Sequence, residues 1–94
     1  MNQKKIVKSA NAPEYLHSID IDVEDDKGRI TGHRLVAGQV VKVRRGVNRP
    51  AGDYVFRYAE YNQTLGEHLL YVESLSRMKC CRAEAIRKVI GSRG

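Results

Sequence analysis

From Tyr15 to Glu24 the chain alternates: Tyr15, His17, Ile19, Ile21 and Val23 fall on one side, and Ser18, Asp20, Asp22 and Glu24 on the other. Successive side chains leave a strand on opposite faces, so a period of two marks a half-buried β-strand rather than a helix. Asp25-Asp26-Lys27-Gly28 is turn chemistry, because Asp opens turns and Gly accepts a positive φ. Arg29 to Val36 then returns as a second strand. In simple register its Arg29, Thr31 and His33 face the acidic row of the first strand.

The same reading continues past the Ala37-Gly38 turn. Gln39 to Arg45 is a third strand, with Val41 and Val43 on one face and Val40, Lys42 and Arg44 on the other. Gly46 to Gly52 is a loop by composition. Asp53 to Tyr61 is a fourth strand, in which Tyr54, Phe56 and Tyr58 share a face read as core, opposite Val55, Arg57, Ala59 and Tyr61.

Residues 62–79 admit two readings. A five-residue loop and a fifth strand over 67–75 suit the β-branched and aromatic residues there. A helix from Leu65 toward Lys79 suits the capping-box pair Thr64 and Glu67. The strand is preferred. Over 77–90, Met78, Cys81, Ala85, Ile86 and Val89 recur at helical spacing between Ser76, a plausible N-cap, and Gly91, a plausible stop, so a C-terminal helix is expected. The expected fold is mainly β with a C-terminal α-helix: a small antiparallel five-stranded meander or SH3-like barrel capped by one helix. Residues 1–13 form a flexible basic arm in this reading, and 14–94 a single domain.

Ninety-four residues bury roughly 60–68% of the unfolded surface, enough for one modest core but little room for a deep catalytic cavity. The apolar runs are far short of a membrane span, and the first residues carry lysines without an apolar signal core, so a cytoplasmic, non-membrane protein is expected. Cys80 and Cys81 are adjacent and read as reduced thiols. His17, His33 and His68 are isolated, no metal spacing or nucleophile elbow occurs, and neither enzyme activity nor a cofactor is expected.

Two stretches resemble known families. Gly38 to Val55, with its Val-x-Val strand, Gly46, Gly52 and following strand, is similar to the KOW turn of SH3-like small barrels found in ribosomal and transcription factors. Cys81 to Ile90, CRAEAIRKVI, resembles the second helix of ribbon-helix-helix repressors. That resemblance implies an alternative fold, a β-rich N-terminal part followed by a dimeric ribbon-helix-helix-like part. Tyr54 to Tyr61 would then be the DNA-reading strand, and Arg57 its reading residue.

The net charge is +6, and its placement says more than its sum: residues 27–49 carry seven cations and no acid. Closely spaced cations gain affinity for phosphodiester chains by releasing condensed counterions, and arginine suits bidentate contacts with phosphate or guanine. A small nucleic-acid-binding accessory or regulatory protein is therefore expected, binding DNA or RNA as a monomer or homodimer. Its candidate contacts are Lys42, Arg44, Arg45, Arg49, Arg57, Arg87 and Lys88. The competing expectation is an adaptor or inhibitor of the phage or plasmid type that docks on a larger protein complex.

Overall fold

The computed structural model describes residues 15–92. The basic arm expected over 1–13 lies outside them. Eight strands follow one another: β1 (Tyr15–Leu16), β2 (Ser18–Glu24), β3 (Ile30–Val36), β4 (Gln39–Val43), β5 (Gly52–Asn62), β6 (Glu67–Ser74), β7 (Arg77–Arg82) and β8 (Ile86–Ser92). A single 3-10 turn, Ala83–Ala85, separates the last two. No helix among the described residues is long and apolar enough to cross a membrane.

The strands form two antiparallel layers. The larger sheet runs in the order β7-β6-β5-β4-β8, with β1 also pairing on β5, and the hairpin β2-β3 is a separate two-stranded sheet. One core lies between them. Ile21, Val23 and Leu35 from the hairpin meet Val41, Val43, Tyr54, Phe56, Ala59, Leu70, Val72, Cys81, Ala85 and Ile86. Apolar residues at every second position make each strand one-sided, so burial of those sides drives the layers together.

The expected C-terminal helix is absent. Ser76 caps nothing: with Leu75 it forms the two-residue turn between β6 and β7, both at positive φ, 64° and 52°. Met78, Cys81, Ala85, Ile86 and Val89 do satisfy a helical stripe, but they also fit two short strands interrupted at 83–85. Pairing decides between the two. β7 completes the ladder of β6 from Leu69↔Arg82 to Ser74↔Arg77, and β8 that of β4 from Gln39↔Ser92 to Val43↔Ile86. Those backbone hydrogen bonds, with β-branched Ile86, Val89 and Ile90 on a pleated surface, outweigh a few tenths of a kcal/mol per residue of helix propensity. The helix-capped fold is therefore corrected to an all-strand one. The ribbon-helix-helix alternative falls with it, because Tyr54 to Tyr61 is central, held between β6 and β4, and is not free to pair with a twin.

Two register features correct the sequence-based faces. Asp25 N–H donates to the Arg29 carbonyl (2.9 Å), making the β2-β3 loop five residues long, so Glu24 faces Ile30 and Asp20 faces Arg34. Arg34, rather than Arg29 or His33, ion-pairs with Asp20 and holds its carboxyl below the usual range. In β5 the register shifts between Phe56 and Tyr58, leaving Arg57 as the extra residue of a bulge. Tyr54 and Phe56 stay in the core, but Tyr58 turns outward and Ala59 takes the buried place. On the outer face Tyr58 stacks on Tyr71 at 4.8 Å, and Tyr15 meets it edge-on at 5.1 Å.

Candidate anion-binding groove

The β4-β5 loop is built by its own polar groups. Gly46 and Arg49 exchange backbone hydrogen bonds (2.8 and 3.2 Å), Asn48 supplies the left-handed residue between them (φ 57°), and the Tyr54 hydroxyl donates to the Pro50 carbonyl at 2.7 Å. The Arg49 guanidinium folds back beneath the loop. Its Nε donates to the Arg44 carbonyl (3.2 Å) and its Nη1 to the Cys80 carbonyl (3.2 Å), tying the loop to β7.

Between this loop and the start of β7 lies an open groove of about 820 Å³. Arg45, Gly46, Asn48, Arg49, Pro50 and Ala51 line one side, and Arg77 and Lys79 the other. Among the described residues, four cations and no carboxylate face the space. Hydrogen bonds to neutral carbonyls leave the Arg49 charge uncancelled, and Arg45, Arg77 and Lys79 enter no ion pair among the described residues. The groove therefore carries four uncompensated positive charges within one wall-to-wall span, the arrangement that attracts polyanions.

The other expected contacts are dispersed. Arg44 is a structural clamp: its Nη1 donates to the carbonyls of Glu84 (3.0 Å) and Ile86 (3.3 Å), and its Nη2 to that of Glu24 (3.1 Å). Arg57 pairs with Glu73 at 2.7 Å on the outer face, and Lys42 with Asp53 at 3.0 Å. Arg87 donates to both carboxylate oxygens of Asp26 at 2.8 Å. Lys42, Arg87 and Lys88 line a second, smaller hollow of about 410 Å³ with Asp25, Asp26, Lys27 and Arg29, where three of the five cations are ion-paired, Arg29 with Asp25, Arg87 with Asp26 and Lys42 with Asp53. The Arg29 backbone N–H, joined by that of Lys27 and by the Arg29 charge, keeps Asp25 ionised below its ordinary range. Of the seven expected residues, only Arg45 and Arg49 reach the groove. Arg77 and Lys79 were missed because a helical reading of 77–90 does not set them side by side on one wall. Read in twos, Arg77, Lys79 and Cys81 share one side of a strand.

Gly46 has a specific role here. A Cβ at this position would lie 2.5 Å from the Arg49 Nη2, while its backbone conformation is open to any residue. Gly46→Ala is expected to evict the Arg49 guanidinium from its carbonyls at a cost of about 1–2 kcal/mol. Chemical denaturation of a double-mutant cycle with Arg49→Met checks this. The cost should nearly vanish when Arg49 is already gone, and an undiminished cost would assign it elsewhere.

Comparison with known proteins gives no match: no family model, no curated protein and no solved structure is significantly similar to the chain.

Proposed function

We propose that the protein is a small nucleic-acid-binding accessory factor that grips the phosphate backbone in the groove between the β4-β5 loop and β7. The observation that carries this reading is the lining, in which Arg45, Arg49, Arg77 and Lys79 are unaccompanied by any carboxylate among the described residues. A phosphodiester chain is a biological polyanion with charges spaced closely enough to meet several of them at once, and counterion release supplies the affinity. We take the cytoplasm as its compartment, where Cys80 and Cys81, both free, stay as thiols.

About four phosphate contacts give a slope of log K against log salt near −3.6, so affinity is expected to fall about 100-fold between 50 and 200 mM salt. Fluorescence anisotropy on duplexes of unrelated sequence reads this directly. The triple variant Arg45→Gln, Arg77→Gln, Lys79→Gln should lose on the order of 1,000-fold or more at 50 mM and flatten the slope to near −1. Arg57→Gln, on the outer face, should leave both unchanged. Binding by the triple variant as tight and as salt-sensitive as that of the unmodified protein would refute the groove, and so would failure of the unmodified protein to bind.

A further inference from the structure

Two apolar side chains stand out on the turns that flank this groove, although neither is part of its lining. Val47 is 91% exposed at the apex of the Gly46–Arg49 turn, and Leu75 is 93% exposed at the apex of the β6-β7 turn, two residues before Arg77. Single exposed apolar residues are ordinary. Leu75 is not, because it occupies a left-handed conformation (φ 52°) at a two-residue hairpin turn, where Asn or Gly is favoured and a leucine is strained. It buries nothing in return. Each apex belongs to one wall: Val47 to the loop that presents Arg45 and Arg49, Leu75 to the hairpin whose β7 arm presents Arg77 and Lys79.

Resting on the reading above, we propose that the groove takes a duplex, and that Val47 and Leu75 are wedges that enter its minor groove and bend it. Apolar side chains set beside cations are the means by which minor-groove proteins unstack a base step while phosphates are held on either side. A single strand is disfavoured by the lining, which has no aromatic ring for a base to stack on. A lipid surface is disfavoured by shape. Arg49 lies folded against the Cys80 and Arg44 carbonyls within a concave site, which a phosphodiester ridge enters and a flat headgroup layer does not.

The test uses the full chain and a short duplex labelled at both ends for energy transfer. The unmodified protein should shorten the end-to-end distance on binding. The variant Val47→Ser, Leu75→Asn, in which Asn suits the left-handed turn and preserves the fold, should bind about tenfold more weakly, with the same salt slope, and leave the duplex straight. A salt-sensitive complex in which the unmodified protein does not bend the duplex overturns the wedge and leaves the groove standing. Bending by the variant equal to that of the unmodified protein, or a preference for single strands, does the same. Retention on phosphatidylserine vesicles with indifference to duplex overturns both readings.

Discussion

Replacing Arg44 with methionine should lower stability by about 3 kcal/mol, although the residue sits in the most basic stretch of the sequence and looks like a ligand contact. Its guanidinium donates to the carbonyls of Glu84, Ile86 and Glu24, and its backbone N–H donates to Ala85 at 2.7 Å. One side chain thus joins the end of β4 to the 3-10 turn, to β8 and to the hairpin layer. Hydrogen bonds from a charged donor are worth roughly 1.5–3 kcal/mol each, reduced here because water can reach the Glu84 and Glu24 carbonyls once the arginine is gone. For a chain of this size, that loss lowers Tm by roughly 12–24 °C. Arg44→Lys should recover little of it, since one ammonium cannot span three acceptors set in a fork. Urea unfolding of the two variants measures both effects, and a loss below about 1 kcal/mol for Arg44→Met would refute the clamp.

The second large effect is expected at alkaline pH. Burial pushes the Cys81 thiol up to about 11 from 9.0, with the Arg49 charge working against it and Cys80 with it. Burial also pushes the Tyr71 phenol up to about 12 from 10.0, helped by the Cys80 thiol and the Glu60 carboxyl beside it. Both groups are held neutral in the fold and ionise earlier in the unfolded chain. Their contribution is therefore complete below pH 9 and is lost as pH rises from 9 through 12. For Cys81 the two-unit displacement corresponds to roughly 2–3 kcal/mol above pH 11. Half-exposed Tyr71 adds less. Unfolding free energies measured from pH 8 to 11.5 should fall accordingly, Cys81→Ala should flatten the earlier part of the decline, and Tyr71→Phe the later part. A profile that does not change with either substitution would contradict this assignment.

Much of the fold is legible in the residues. The alternation from Tyr15 to Tyr61 specifies successive hairpins, and the Gly-rich stretch after Arg45 specifies the loop that walls the groove. What escapes has a physical cause in each case. The bulge at Arg57 exists only relative to β6, so no pattern within β5 announces that Tyr58 and Ala59 exchange sides. The β2-β3 register turns on one residue of loop length, and in a two-period structure one residue inverts every facing pair. The stretch after Ser76 reads as a helix because its apolar positions fit a 3.6 period. Only the open edges of β6 and β4 make two strands the better use of it. That error also hid half of the groove, since Arg77 and Lys79 share a wall only when β7 is extended. Arg44 and Arg57 show the converse: basic residues near a groove in sequence, spent in space on carbonyls and a carboxylate.

The separation of β2-β3 from the larger sheet has a further consequence. No ladder among the described residues joins the two layers; the attachments across the boundary include side-chain packing by Ile19, Ile21, Val23 and Leu35, the Arg44 and Arg87 bridges, a Val36 N–H bond to the Gln39 side chain and a Gly38 N–H bond to the Phe56 carbonyl. Breaking that boundary costs no strand pairing; burial of the shared core and the polar links that cross it are what oppose it. A hairpin lifted as a unit would wet the core while the six-stranded sheet, groove included, kept its ladders.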